Sequence, residues 1–171
     1  MADLIDLRLI IYPNNVLEQP CEDIDVFDDS TFKLVNKMLD VMYNSKGIGL
    51  AAPQIGVLKR VIVYDISEDQ TQPQTLINPI ISGRSKDLIG IEEGCLSFPD
   101  LSIYVPRAKR INIEGFDVEG KKRSLQADDL LSICLQHETD HLDGITFLNR
   151  VPRKIRRRSL KSYQKNLRRI K

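Results

Sequence analysis

The 171-residue chain has no tryptophan, two histidines, three methionines and three cysteines. It also lacks any apolar run near the roughly 20 residues that a membrane-spanning helix needs. Cys21, Cys95 and Cys134 are too few and too scattered to frame a disulfide scaffold. An odd count without a signal peptide favours a reducing, intracellular setting, so a cytoplasmic protein with no membrane partner is expected. The N-terminal stretch MADLIDLRLIIYPNN sets acids before any base and reads as neither a secretory signal nor a transit peptide. Acid is missing from the other end: no Asp or Glu follows Asp143.

That last absence divides the charge. Residues 1–149 carry 14 Lys/Arg against 24 Asp/Glu, a sum of −10, and residues 150–171 carry 11 Lys/Arg and no acid, a sum of +11. The overall charge of +1 therefore hides an acidic body and a strongly basic tail. With 42% hydrophobic and 29% charged residues the chain is an ordinary globular protein of about one domain. The expected division is a single folded domain over 1–149 and a basic helical tail over 150–171.

A helix is expected from Asp28 to Gly47, capped by Asp29 or Ser30. Val35, Met38, Leu39 and Met42 form its buried stripe, Phe32 extends that stripe one turn earlier, and Gly47 stops it. GIGLAAPQIG (Gly47 to Gly56) is too rich in Gly and Pro for a regular element. Strand-like runs follow at Lys59–Asp65, Thr75–Ile81 and Arg110–Phe116, with a hairpin signal at Glu119-Gly120. A second helix should run from about Asp128 to Asp143, with Leu130, Leu131, Ile133 and Cys134 on its inward face and Gly144 at its end. The tail from Pro152 can form a third. Strands gathered mid-chain, with helices before and after, predict an α+β fold: mixed or antiparallel strands around a central helix, with a C-terminal helix.

Both histidines fall in one hexapeptide, QHETDH (Gln136 to His141). His137 and His141 are four apart, so they share a helix face and can reach one ion. Glu138 lies about 100° round, placed to touch a water on that ion without ligating it. The third ligand is open. HETDHLDGITF carries Phe147 where one protease class places a third histidine, and a second class needs a downstream carboxylate that the chain lacks. Cys134 sits about 10.5 Å along the helix from His141, which would strain a shared site, and reads as small core packing. Cys21, in an N-terminal loop, reads as structural. Cys95 differs, because Gly94 beside it permits close approach of the backbone to something bulky.

Three segments in order, GIGLAAPQ (Gly47 to Gln54), EGCLS (Glu93 to Ser97) and QHETDH, resemble the three motifs of the peptide deformylases. The likeness runs over roughly residues 1–150. It implies removal of the formyl group from the N-terminal formylmethionine of new polypeptides. The metal ligands it implies are Cys95, His137 and His141, with water as the fourth. Glu138 would serve as the proton carrier, and Gln54 with the backbone N–H of Leu96 as donors to the oxyanion. Gly49 and Gly94 would lie along the substrate, and Ile48, Ile91, Leu130 and Ile133 would make the methionine slot. Glu93 and Arg107 would form a buried pair that holds the cysteine segment, and Ser102 stands where some relatives carry an arginine. Ligand softness alone favours zinc. The resemblance implies ferrous iron, with nickel, cobalt or zinc able to use the same ligands.

The tail's plain reading is a solvated helix. Its functional reading is RNA contact by phosphate neutralisation, reaching outward from the body, and the resemblance implies that the RNA is that of the ribosome. Two other functions compete. A protease of the same histidine motif is disfavoured by Cys95 within EGCLS. An RNA-binding protein with a structural metal would need a fourth protein ligand that the sequence does not offer.

Overall fold

The computed structural model describes residues 8–170, without the side chains of 168–170. The first seven residues, part of the stretch read for targeting signals, lie outside these. Among the described residues, seven strands and three α-helices run β1 (Gly49–Ala51), β2 (Val61–Tyr64), β3 (Gln74–Arg84), β4 (Leu88–Cys95), β5 (Phe98–Ala108), β6 (Arg110–Phe116) and β7 (Lys122–Asp128), with α1 (Asp29–Asn44) before β1, then α2 (Asp129–Leu142) and α3 (Arg153–Ile170) after β7. A five-stranded sheet has the order β1-β2-β3-β6-β7, β4 and β5 form a separate pair, and every ladder is antiparallel. This is the expected α+β class. No helix among the described residues is long and apolar enough to cross a membrane.

The apolar run of β2 is continuous because both of its faces are covered. Val61 and Val63 pack with Leu34, Val35, Met38 and Met42 of α1. Their neighbours Ile62 and Tyr64 pack on the opposite side with Cys134, Leu135 and Leu142 of α2. The large sheet is thus a partition between two helices, and α2 lies between it and the β4–β5 hairpin. Such a helix has little outer face, and every residue from Ser132 to Leu142 is buried.

Helix α1 differs from expectation at its edges. The cap is Asp28, whose Oδ1 accepts from the N–H groups of Ser30 (2.9 Å) and Thr31 (3.3 Å). The buried stripe is Thr31, Leu34, Val35, Met38 and Met42. That rotation turns Phe32 outward, leaving it 53% exposed. Lys46 takes the left-handed turn (φ +56°), while Gly47 closes the helix by donating to Met42 O at 2.9 Å. The Gly/Pro-rich segment also holds more order than expected, with Gly49–Ala51 pairing as β1 and Ala52–Ile55 forming a 3₁₀ turn. Helix α2 ends as anticipated at Gly144 (φ +70°), where a Cβ would lie 2.7 Å from Glu18 O.

The C-terminal helix does not stand clear of the body as the outward reading had it. Tyr163 is 2% exposed and packs with Phe98, Phe147 and Leu148. Its hydroxyl donates to Tyr12 O at 3.3 Å. Burial of an aromatic ring outweighs the solvation of the surrounding basic residues, so one edge docks while Arg153, Lys154, Arg157, Arg158 and Lys161 stay exposed.

Candidate metal centre and active site

One turn of α2 separates His137 and His141, whose ring centroids are 5.0 Å apart. Cys95 reaches them from the end of β4. It pairs with Phe98 across a two-residue turn, Leu96-Ser97, which points the end of the hairpin at the buried helix. The ligating atoms of Cys95, His137 and His141 all lie within 4.8 Å of one another. Cys95 Sγ and His141 Nε2 are 3.3 Å apart. Two such ligands on one tetrahedral ion should be separated by roughly 3.5 Å, so the donor set fits a cation. Cys134 stands outside the group: its Sγ donates to Ile48 O at 3.7 Å, and burial holds its thiol well above the usual range.

Burial opposes a charged His137, yet hydrogen bonds to Cys95 and Glu93 hold it well above the ordinary histidine value. His141 meets Cys95 Sγ but no carboxylate among the described residues, and burial, with the positive charges of His137 and Arg107, pushes it well below. His137 Nδ1 meets Glu93 Oε2 at 2.9 Å, which turns Nε2 toward the other ligands. The expected Glu93–Arg107 pair is present and buried, with Arg107 Nε and Nη2 donating at 2.5 and 2.9 Å. Burial alone would raise the Glu93 carboxyl, but His137 and Arg107 hold it below its ordinary value.

Glu138 is 5% exposed, and its Oε2 has no partner among the described residues. Burial pushes its carboxyl up to about 7, against the lowering effect of His137 and Arg107. Gly49 lies against it: a Cβ there would come within 2.6 Å of Glu138 Oε1 and 2.8 Å of Cys134 Sγ. Only glycine lets β1 approach the metal helix this closely.

Gln54 is 1% exposed, and its Oε1 accepts from Ala51 N at 2.8 Å. That bond orients the amide so that Nε2 faces Cys95 Sγ (3.5 Å) and Ser97 Oγ (3.3 Å). Leu96 follows Cys95 in the turn.

Above this floor opens a cleft of about 710 Å³ whose lining includes Ile48, Gly49, Gln54, Ile91, Cys95, Leu96, Leu130, Ile133, His137 and Glu138. Ile48 (40%), Ile91 (37%) and Leu130 (42%) leave apolar surface open to water, whereas Ile133 (3%) is sunk in the wall. Leu130 is therefore a cleft residue, not the inward-packed core position that helix periodicity suggested. The reason is that α2 begins at the cleft mouth. At Gly94 a Cβ would meet nothing within 4 Å, so the backbone there borders open space and no protein atom crowds it. His141 does not line the cleft. Leu9, Phe98 and Leu101 do, and no sequence signal marked them: the β4–β5 hairpin brings Phe98 and Leu101, and the N-terminal segment, whose Ile10 N–H donates to Gln54 O at 2.7 Å, brings Leu9.

A thiol and two imidazoles converging beneath an apolar cleft, with a buried carboxyl on the same helix, fit the site of a metal-dependent hydrolase. The comparisons make the class specific. The sequence profile of the polypeptide deformylases matches residues 7–157, and the chain belongs to that family. It is 42% identical to the peptide deformylase of Chromohalobacter salexigens over 93% of this chain and 94% of that one. It is 43% identical to the enzyme of Neisseria gonorrhoeae over 85% and 86%. Among solved structures, the Legionella pneumophila peptide deformylase matches with a TM-score of 0.89 at 35% identity, covering 95% of this chain and 96% of that one. The Synechococcus elongatus enzyme, solved in complex with actinonin, matches with 0.87 at 39% identity over 95% and 89%.

Proposed function

We propose that Cys95, His137 and His141 hold the catalytic cation, and that Glu138, Gln54 and Leu96 act on a formyl group brought beside it. The reaction is that of the family: hydrolysis of the formyl group from the N-terminal formylmethionine of a newly made polypeptide, releasing formate. The observation that carries the residue assignment is the meeting of three ligating atoms within 4.8 Å under the cleft that Glu138 lines. A formamide is neutral and a weak electrophile, and a divalent cation so held supplies Lewis acidity and an activated water. Glu138 takes the water's proton and returns it to the departing amine. Gln54 Nε2, fixed by the Ala51 bond, donates to the developing oxyanion together with the Leu96 N–H. The backbone at Gly49 and Gly94 receives the formylmethionyl chain, and Ile48, Ile91, Leu130 and Ile133 take the methionine side chain.

The ion we propose is ferrous iron, with nickel, cobalt or zinc accepted by the same ligands. A thiolate donates charge to zinc and blunts its Lewis acidity, whereas an ion that readily takes a fifth ligand suits a bound formyl oxygen. Protein purified without oxygen should carry iron and release formate from a formyl-Met tripeptide. That activity should decay in air and persist when nickel is substituted, with the half-buried Cys95 the protein target of oxidation. Equal, air-stable activity of the zinc and iron forms would remove iron from the account.

Residues 150–171 we read as a segment that brings the catalytic body, residues 1–149, to the ribosome through phosphate contacts. The exposed basic face of α3 supports this reading. Deleting the chain after Arg153 should weaken ribosome binding strongly, and binding of the intact chain should fall steeply with salt. The free-peptide rate should survive in the cold. Stability should not, because Tyr163 leaves the aromatic cluster, and Tyr163→Ala alone should cost about 3 kcal/mol in denaturant unfolding. Ribosome affinity unchanged by the deletion at fixed salt would reduce α3 to a docked, solvated helix.

A further inference from the structure

Asp140 lies between the two histidines on α2, is 5% exposed, and has no place in the chemistry above. Its Oδ2 accepts from Arg107 Nη1 at 2.8 Å and from Arg150 Nε at 2.9 Å, and its Oδ1 accepts from Arg150 Nη2 at 2.5 Å. Arg107 also clamps Glu93, and Glu93 meets His137 Nδ1 at 2.9 Å. Arg150, Asp140, Arg107, Glu93 and His137 therefore form one unbroken row. Its two guanidiniums balance its two carboxylates. His141 contrasts with this, because its buried Nδ1 has no partner among the described residues. Among the described residues only His137 of the two imidazoles meets a carboxylate, and it does so at the end of this row.

We propose that Arg150, acting through Asp140 and Arg107, is a positioning residue for His137. Arg107 serves two carboxylates, with Nη1 on Asp140 and with Nε and Nη2 on Glu93. Arg150 satisfies Asp140 from the far side, at the end of the 3₁₀ turn Phe147–Arg150, with its side chain 42% exposed. Without it, a nearly buried carboxylate would keep Arg107 as its only cation. Arg107 would be drawn toward Asp140, the two-point clamp on Glu93 would weaken, and the His137 ring would lose its fixed angle. Groups linked in this way act together, so a loss at the open end is felt at the ligand.

The inference rests on His137 being a metal ligand. The test uses the full chain, freed of metal and loaded anaerobically with cobalt. It reads the absorption spectrum and the rate of cobalt release to excess chelator for wild type, Arg150→Gln, Arg150→Lys, Asp140→Asn, His137→Ala and the surface control Lys33→Ala, exposed on α1. Arg150→Gln and Asp140→Asn should release cobalt about tenfold faster, at the low end of the effect of losing a ligand's supporting partner. Their cobalt bands should shift, and KM for a formyl-Met peptide should stay unchanged. Arg150→Lys keeps the charge and one donor and should return release to within about threefold of wild type. Lys33→Ala should match wild type. A wild-type spectrum and release rate in both Arg150→Gln and Asp140→Asn, even with a lowered melting temperature, would overturn the positioning role if His137→Ala has lost its metal. Stoichiometric cobalt in His137→Ala would instead overturn the ligand assignment itself.

Discussion

Glu138→Gln is expected to keep one metal ion per chain and to lose turnover by about 10²- to 10⁴-fold, the range that a positioned acid–base group supplies. Glutamine matches the shape of glutamate, which matters where Glu138 Oε1 sits against Gly49 with no room for a Cβ. The fold and the three ligands are untouched. What disappears is the proton acceptor, and the neighbouring groups cannot replace it. Asp140 is committed to Arg107 and Arg150, and Glu93 to Arg107 and His137. Binding of a formyl-Met peptide, read as KM, should change little. A kcat near that of the unaltered protein at neutral pH would assign the proton transfer to another group.

Cys95→Ala, His137→Ala and His141→Ala are each expected to lose stoichiometric metal and, with it, all measurable formate release. Two remaining ligands leave the ion with mostly solvent around it, whereas the three-ligand set holds it with one open position. Cys134→Ala provides the contrast. That thiol is buried and kept protonated, and it points at Ile48 O, so its loss should leave a small cavity and a full complement of metal. Metal retained in Cys95→Ala, or lost in Cys134→Ala, would exchange the roles of the two cysteines.

The metal helix was legible because its signal is local: two histidines four residues apart, with a glycine stop just beyond. The proposed third ligand was not legible in that sense. Cys95 lies 46 positions from His141 along the chain, and a tight turn with a two-stranded hairpin brings its sulfur to 3.3 Å. Only the resemblance of EGCLS to a known motif pointed there. The exchange of Phe32 for Leu34 in the α1 stripe follows from a choice of helix face that near-equal apolar spacings leave open, and the sheet beneath decides it. Leu130 reads as core by period and lines a cleft in fact, because periodicity reports a buried face and not what buries it. The docking of Tyr163 was hidden for a related reason. One aromatic ring among eleven basic residues has little weight in composition, yet it fits a cluster already built by Tyr12, Phe98 and Phe147. The row from Arg150 to His137 spans four separate segments, and no spacing rule connects them.

The account's central claim is that the cation at Cys95, His137 and His141 is the one that catalyses deformylation. Adding cobalt anaerobically to the metal-free chain, while recording formate release from a formyl-Met tripeptide, tests this most directly. The account predicts no release at the start, a linear rise with added cobalt and a sharp break at one equivalent per chain. It also predicts no rise at any equivalent for Cys95→Ala. Full release from the metal-free chain, or a normal rise in Cys95→Ala, would contradict it.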